Sequence, residues 1–367
     1  MPVSYHHIMS MEKKDLRIVF LGTPDFAVES LDTLVQNGFN IVGVVTATDK
    51  PAGRGHKMLQ SAVKQYAVAH GLNVLQPEKL KDEAFVEELR SLQADLFIVI
   101  AFRMLPEVVW SMPRLGTFNL HASLLPKYRG AAPINWAVIN GEKVTGVTTF
   151  FLKHEIDTGD VIQQETIEIA DDENVGSVHD RLMHLGAQLT LDTVNAILEG
   201  NVNPIPQSEL ESGEPTPAPK IFRDTCHIDL SRTAREVHNL VRGLSPYPGA
   251  WLDIDLADGT PLTAKIFETR LTDMSVKDSQ KGKVFAADGN LYLGAADAVL
   301  EVISLQPSGK RRMQADEFLR GTKIANCPGI SRELNLDITN EIGRDFCRVP
   351  ISYVSLLLVS YVSQSVT

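Results

Sequence analysis

Short apolar runs alternate with amphipathic segments along the first half of the chain, and this alternation constrains the fold more than any other feature. Three runs of mostly branched apolar residues have the length and composition of strands buried on both faces: residues 16–21, 41–45 and 96–101. Segments with helical periodicity lie between and after these runs: residues 27–36, 59–70, 82–92 and 175–198. Alternation of this kind builds a parallel sheet with helices on both faces. The sequence therefore predicts an α/β domain with a doubly wound, mostly parallel sheet over residues 15–203.

A change in composition marks a second domain. Residues 204–220 contain five prolines, and we interpret this stretch as an interdomain linker. Beyond it, short alternating segments are separated by Asp-Gly turns at residues 258–259 and 288–289, as in hairpins of β-strands. The sequence therefore predicts a small, OB-like β-barrel over residues 221–326.

The two ends of the chain carry none of the recognisable motifs. Residues 1–14 are predicted to be a disordered leader, and residues 327–367 an extension of unknown role. The apolar run that begins at residue 350 is too short and too interrupted by serine for a membrane span, so no membrane association is predicted. The three cysteines are widely spaced and form neither a disulfide framework nor a metal motif, which favours a reducing cytoplasm.

The net charge of −11 argues at first against a nucleic-acid partner. The charge is unevenly distributed, because residues 220–325 contain fifteen basic and fourteen acidic side chains and the acidic excess lies elsewhere. A nearly neutral region with local basic clusters still binds phosphates, since the local field matters more than the total charge.

The residues most able to carry chemistry are Asn119, His121 and Asp157. Asn119 and His121 lie two positions apart in a predicted strand over residues 116–121, so their side chains point to the same face. An amide donor beside an imidazole suits the stabilisation of an oxyanion during acyl transfer. A carboxylate such as Asp157, close to the imidazole, would hold it in the state that donates a proton. We predict these three side chains to be the catalytic residues.

Two other classes of site are disfavoured. Residues 22–26 follow the first strand as a dinucleotide-binding loop would, but they lack the Gly-x-Gly-x-x-Gly pattern and a clear ribose-binding acid. The remaining histidines are scattered along the chain, so the sequence predicts no metal site.

Further motifs surround the catalytic residues: Gly-Thr-Pro-Asp-Phe at 22–26, Asp-Lys-Pro-Ala-Gly-Arg-Gly at 49–55, Ser-Leu-Leu-Pro at 123–126, Tyr-Arg-Gly-Ala-Ala-Pro-Ile at 128–134 and Asp-Thr-Gly at 157–159. With these motifs, residues 16–324 resemble the folate-dependent formyltransferases and, among them, the methionyl-tRNA formyltransferase family. The resemblance implies transfer of the formyl group of 10-formyltetrahydrofolate to the α-amino group of methionine on initiator tRNA. It also implies a cytoplasmic enzyme, which we expect to be a monomer.

Two groups of residues are predicted to contact the folate. The resemblance implies contacts from the loop after the catalytic strand, which consists of Ser123, Leu124, Leu125 and Pro126. Met104 and Leu105 follow the strand at 96–101, and open α/β sheets bind ligands at the carboxyl ends of their strands. We therefore expect these two side chains to line the pterin pocket.

Two basic clusters are predicted to contact the tRNA. The first lies in the loop that matches the family's tRNA-binding insertion and contains Lys50, Arg54 and Lys57. The second is the run Lys310, Arg311 and Arg312, after a Pro-Ser-Gly turn in the predicted β domain. Flexible basic loops suit contacts with phosphates.

Two alternatives remain open at this point. One is a formyltransferase that acts on a small amine, such as glycinamide ribonucleotide or an amino-sugar nucleotide, because the catalytic residues alone do not separate the acceptors. The other is an RNA-binding protein without catalysis, which would tolerate loss of Asn119, His121 or Asp157, whereas all three are present. The basic loop and the appended β domain favour the tRNA acceptor.

Overall fold

Strands and helices alternate through the first domain, as the sequence predicts. The computed structural model describes residues 11–52, 57–210 and 216–325. The elements of the first domain are β1 (Arg17–Gly22), α1 (Asp25–Gln36), β2 (Asn40–Val45), β3 (Lys50–Ala52), β4 (Lys57–Leu59), α2 (Ala62–Ala69), β5 (Val74–Leu75), α3 (Glu83–Ser91), β6 (Leu96–Ile100), α4 (Glu107–Trp110), β7 (Thr117–His121), β8 (Arg129–Gly130), α5 (Pro133–Ile139), β9 (Val144–Phe151), β10 (Val161–Glu168) and α6 (Val175–Glu199).

The main sheet has the strand order β10-β9-β7-β6-β1-β2-β5. Strands β5, β2, β1, β6 and β7 are parallel to one another. Strand β9 pairs antiparallel with β7, and β10 pairs antiparallel with β9 at the edge of the sheet. Successive side chains of β1 point to opposite faces of the sheet. Since these side chains are apolar, both faces are covered by helices. Ile18 and Phe20 lie in the core shared with α1 and α6, whereas Val19 and Leu21 lie in the core shared with α3. The predicted doubly wound, mostly parallel sheet is confirmed.

One predicted helix begins later than its periodicity indicates. Periodicity predicts a helix from residue 59, but α2 begins at Ala62, after an N-cap in which the Ser61 side chain accepts a hydrogen bond from the Lys64 amide. The difference arises because residues 57–59 pair with residues 50–52 as the antiparallel ribbon β3–β4. An ion pair of 2.6 Å between Lys64 and Asp49 then ties the base of this ribbon to α2.

The second domain is an antiparallel sheet with two helices. After a short strand, β11 (Pro217–Ala218), its elements are α7 (Ala234–Gly243), β12 (Ala250–Asp255), β13 (Pro261–Ser275), β14 (Val284–Ala287), β15 (Asn290–Gly294), β16 (Ala298–Pro307), β17 (Met313–Gln314) and α8 (Ala315–Gly321). The strand order is β12-β13-β16-β15-β14, with β17 beside β16. No pairing joins β14 to β12 within the described ranges, so the predicted OB-like barrel is a curled, open half-barrel. Helices α7 and α8 close its core.

The predicted linker does not run free between the two domains. Residues 211–215 lie outside the described ranges, but the segments on either side are bound to the first domain. Ile205 forms a bridge with Val161, and β11 pairs in parallel with β8. Gln207 is only 5% exposed. A proline-rich composition therefore marks the boundary in sequence, while hydrogen bonds make the segment part of the first domain.

Several predictions concern the ends of the chain. Of the predicted leader, residues 1–10 lie outside the described ranges, as does the predicted extension over residues 327–367. The last residues of the leader are ordered, because the amide of Leu16 bonds to the carbonyl of Glu12 and Met11 packs against the main core. In the described part of the chain, none of the helices combines the length and apolar character needed to cross a bilayer.

Candidate active site

A cavity of about 1090 Å³ opens at the carboxyl ends of β6 and β7. Open α/β sheets bind ligands at this edge, and the volume suits a ligand of drug size. Asn119, His121 and Asp157 all line it. The β domain contributes Pro246 and Tyr247 to the lining. The cavity therefore brings together the three predicted catalytic side chains and one loop of the second domain.

Asn119 presents its carboxamide to the cavity from the middle of the sheet. It lies in β7, paired with Val99 of β6 and Phe150 of β9, so its backbone is fixed on both sides. Phe118 and Leu120 point into the core beneath α6, which leaves Asn119 on the opposite face, as its period predicts. Its side chain hydrogen-bonds to none of the described residues, so the amide N–H groups are free to bind a ligand.

His121 shares this face and has a defined proton. The residue is 8% exposed, and its Nε2 atom lies 2.9 Å from the carbonyl oxygen of Tyr128. Because a carbonyl only accepts hydrogen bonds, Nε2 carries the proton. Nδ1 bonds to no side chain or backbone group in the described ranges, so this nitrogen is open to a ligand. The ring of Phe150 packs edge-on against the imidazole, at a centroid distance of 6.5 Å.

Asp157 lies on the cavity wall but is not bonded to His121. Its Oδ2 atom accepts a hydrogen bond of 3.1 Å from the backbone N–H of Gly130. Among the described residues, no hydrogen bond joins Asp157 to His121. The carboxylate therefore does not hold the imidazole by a direct hydrogen bond, although the sequence predicts that it does. The two residues instead bond to neighbouring positions of one short segment, at Tyr128 and Gly130. The backbone of Asp157 is left-handed, with φ +55°.

The predicted folate residues fall into two groups. Met104 and Leu105 line the cavity, with Met104 71% exposed and Leu105 8% exposed. Residues 123–126 are absent from the described lining. Ser123 and Leu125 are buried, and the Thr148 hydroxyl donates to the Ser123 carbonyl at 2.6 Å and accepts from the Leu125 amide at 3.2 Å. Thr148 therefore supports the backbone of this loop, and the predicted contact of residues 123–126 with the folate stays a prediction.

The first predicted tRNA-binding cluster lies in the β3–β4 ribbon. Lys50 is exposed at the start of β3, and Lys57 lies in β4 opposite Ala52. Arg54 lies outside the described ranges. The structure therefore places two of these three positions on one hairpin.

The second cluster is less uniform than its sequence indicates. Lys310 is exposed and has no acidic partner among the described residues. Arg311 forms an ion pair with Glu317. The guanidinium of Arg312 lies 4.5 Å from the ring centroid of Phe267, and its Nε donates to the hydroxyl of Ser304 at 2.7 Å. Only Lys310 is thus without a competing partner within the described fold.

Two residues that sequence reasoning missed belong to this site. Tyr247 is 81% exposed and reaches the cavity from the β domain, between Pro246 and Pro248. Gln207, from the predicted linker, hydrogen-bonds to the backbone of Asp157. Apart from the neighbouring prolines, nothing in the adjacent sequence indicates a role for either residue. Each reaches the site by a contact between distant parts of the chain. The described residues include no cluster of His, Cys, Asp and Glu side chains able to hold a metal ion.

Comparison with known proteins agrees with this architecture. Residues 16–194 match the family described as formyl transferase, and residues 220–323 match the formyl transferase C-terminal domain. The fold is similar to that of an N-formyltransferase from Helicobacter canadensis, solved with folinic acid and dTDP-3-aminofucose. The TM-score is 0.57 at 20% identity, over 81% of this chain and 100% of that one. The chain is a formyl transferase by family, and its fold is that of this class.

Two relatives define the family more narrowly. The methionyl-tRNA formyltransferase of Bacteroides fragilis is 60% identical over 314 residues, which cover 85% of this chain and 96% of the relative. That of Bacteroides thetaiotaomicron is 58% identical over 319 residues, which cover 86% of this chain and 98% of the relative. The chain belongs to the methionyl-tRNA formyltransferase family, and the family predicted from its motifs is confirmed.

Proposed function

We propose that this enzyme transfers the formyl group of 10-formyltetrahydrofolate to the α-amino group of methionyl-initiator tRNA, in the cytoplasm and as a monomer. The observation that carries the proposal is the 60% identity, through both domains, with a relative named for this reaction. The cavity supports it, because an amide donor and an imidazole converge at its base. A small-molecule acceptor is the weaker alternative, since the structural relatives that carry sugar-nucleotide names share only the fold.

The cavity wall fits a folate. Leu105, Trp110 and Leu152 supply apolar surface beside the polar catalytic side chains, a combination that suits a flat heteroaromatic ring with polar edges. When bound, 10-formyltetrahydrofolate supplies the formyl group. Met104 and Leu105 would contact it from the loop after β6.

Asn119 and His121 would act on the reacting groups. The N–H₂ of Asn119 donates to the oxygen that gains negative charge as the amine attacks, and loss of one such donor typically costs about 3–4 kcal/mol in the barrier. His121 is anchored through Nε2–H, so its Nδ1 accepts the proton of the attacking amine and then returns it to the leaving nitrogen. Asp157, on the same wall, favours the positive charge that forms on the imidazole.

Tyr247 and the basic residues would bind the acceptor. A tyrosine that is 81% exposed at the rim of a cavity offers a face on which a nucleobase stacks. Lys50, Arg54, Lys57 and Lys310 would contact phosphates, with Arg311 and Arg312 as weaker contributors because they already have partners.

A competition assay tests the proposal. The purified enzyme is given 10-formyltetrahydrofolate together with charged initiator tRNA, glycinamide ribonucleotide or an amino-sugar nucleotide. We expect formylation of the tRNA alone, with a KM that rises with salt concentration as phosphate contacts are screened. Formylation of a small acceptor, without dependence on salt, would favour the alternative.

A further inference from the structure

The buried side chain of Gln207 uses every hydrogen bond that an amide can make. Its Oε1 accepts from Nε and Nη2 of Arg129, at 3.1 and 2.7 Å. Its Nε2 donates to the carbonyl oxygens of Asp157 and Gly159, at 2.9 and 2.8 Å. Two donors and two acceptor positions exhaust the capacity of a carboxamide. Four bonds at 5% exposure define the orientation of this side chain completely.

These four bonds join the segment around Arg129 to the loop that carries Asp157. Arg129 lies between Tyr128, whose carbonyl accepts from His121, and Gly130, whose N–H donates to Asp157. The other two bonds end on the backbone of the Asp157 loop itself. One side chain thus connects the segment that anchors both catalytic groups to the loop that carries one of them.

The Asp157 loop needs such a restraint. Asp157 has a left-handed backbone, a conformation that is less favourable for a non-glycine residue and that neighbouring groups must support. Gly159 lies so close to the preceding strand that a Cβ there would be 1.6 Å from the carbonyl oxygen of Phe151. The loop is therefore pressed against β9 on one side and bonded to Gln207 on the other.

The linker holds Gln207 in place from both directions. Before it, Ile205 exchanges backbone hydrogen bonds of 2.8 Å with Val161 at the start of β10. After it, the carbonyl of Thr216 accepts a bond of 2.6 Å from the amide of Tyr128, and β11 continues beside β8. The linker is thus bonded to the start of β10 before Gln207 and to the anchoring segment after it.

We propose that Gln207 is a positioning residue, which keeps the Asp157 carboxylate directed into the cavity and couples it to the segment that anchors His121. The inference rests on the proposed function, because it assigns Asp157 a role in formyl transfer. Gln207 lies outside the described cavity lining, so its removal should change the position of a reacting group and leave the binding of both substrates unchanged.

A double-mutant cycle tests this role. We expect Gln207→Ala to lower kcat by about 10- to 100-fold, since small misplacements of catalytic groups have effects of that size, and to leave both KM values within about twofold. In an Asp157→Asn background, Gln207→Ala should have little further effect, because the carboxylate that it positions is already absent. A residue with a purely structural role would multiply its loss in both backgrounds.

Two further variants keep the test decisive. Gln207→Glu still accepts from Arg129 but cannot donate to the carbonyl oxygens of Asp157 and Gly159, so it should show the same loss of kcat. It replaces Gln207→Ala in the double-mutant cycle if Gln207→Ala does not fold. Gln280→Ala removes another buried glutamine, in the β domain, and should leave kcat unchanged. Unchanged kcat in Gln207→Glu, or multiplying losses in the cycle, would overturn the inference. The cycle is run with whichever acceptor the wild type formylates, so failure of the tRNA assignment remains distinguishable from failure of this one.

Discussion

The carbonyl of Tyr128 and the imidazole of His121 are joined by a hydrogen bond of 2.9 Å, and this bond places a proton on Nε2 of the histidine. Since Nε2 is the donor, Nδ1 is the nitrogen that remains without a partner among the described residues. Gly130, two residues beyond Tyr128, donates to Asp157. The two side chains that we propose to be catalytic are therefore linked through three residues of backbone, and no hydrogen bond joins them among the described residues.

This coupling predicts the behaviour of the catalytic variants. His121→Ala and Asp157→Asn should each lower kcat by at least about a hundredfold while the protein stays folded, because proton transfer and charge stabilisation are lost. The double variant should lose far less than the product of the two, since the groups act as a unit. Single-turnover formylation with charged tRNA measures all three. Fully multiplicative losses would show that the two residues act independently.

The exposed ring of Tyr247 predicts a specific effect on the acceptor. Tyr247→Ala should raise KM for charged tRNA by an amount equivalent to about 1–3 kcal/mol, the usual contribution of one stacked base, while Tyr247→Phe should keep it. Phe222 is also exposed, at 61%, but lies outside the described cavity lining, so Phe222→Ala is the matched control. Steady-state kinetics with varied tRNA would separate them. Equal effects of Tyr247→Ala and Phe222→Ala would argue against a stacking role.

The basic run in the β domain should respond residue by residue. Lys310→Ala should account for most of the rise in KM for tRNA and flatten the slope of log K against log salt by roughly 0.7–0.9, the value of one lost phosphate contact. Arg312→Ala should act mainly on stability, because its side chain covers Phe267 and bonds to Ser304. Salt titrations of KM, with thermal melting in parallel, check both. An unchanged salt slope in Lys310→Ala would remove this residue from the tRNA surface.

A buried histidine at the contact between the domains predicts how stability depends on pH. His238 of α7 lies against Thr269 and the carbonyl of Asp171, and burial, with the nearby charges of Arg242 and Arg235, lowers its pKa from 6.5 to about 4. Asp172 opposes this shift only weakly. Between pH 6.5 and about 4, the unfolded chain binds a proton at this histidine that the folded protein does not bind. The contribution of the uncharged imidazole to stability is therefore fully present above pH 6.5 and is lost as pH falls toward 4.

Substitution of this histidine should remove that part of the pH dependence. His238→Gln should flatten the fall in unfolding free energy over the acid range by about 3 kcal/mol or less. Urea midpoints over a pH series measure it, with His70→Gln, at an exposed position, as the control. If the wild type and His238→Gln lose stability in parallel, the buried imidazole is not the cause.

Patterns among neighbouring residues predicted the main sheet and the face of β7 on which the site lies. The alternation of apolar runs and amphipathic segments predicted the sheet, and the two-residue period of β7 placed Asn119 and His121 on one face. The start of α2 was predicted too early because residues 57–59 form a ribbon, which a periodicity count does not detect. Ribbon pairing overrode helical propensity there.

Contacts between distant residues were not predictable in this way. Gln207 is separated from Asp157 by fifty positions, and a glutamine among prolines has the composition of an exposed linker. Tyr247 reaches the cavity only because the β domain packs beside it. The carboxylate of Asp157 was expected at His121, but its Oδ2 atom accepts a hydrogen bond from the backbone N–H of Gly130, which is also distant in sequence.

The pairing of β11 with β8 makes the order of synthesis matter for this enzyme. A nascent chain that has released only residues 1–203 from the ribosome has every strand of the main sheet, yet it lacks Gln207 and the strand that bonds beside Arg129 and Gly130. Since domains generally fold as they emerge, we expect the sheet to form before the Asp157 loop and the segment around Arg129 acquire the hydrogen bonds that the linker provides.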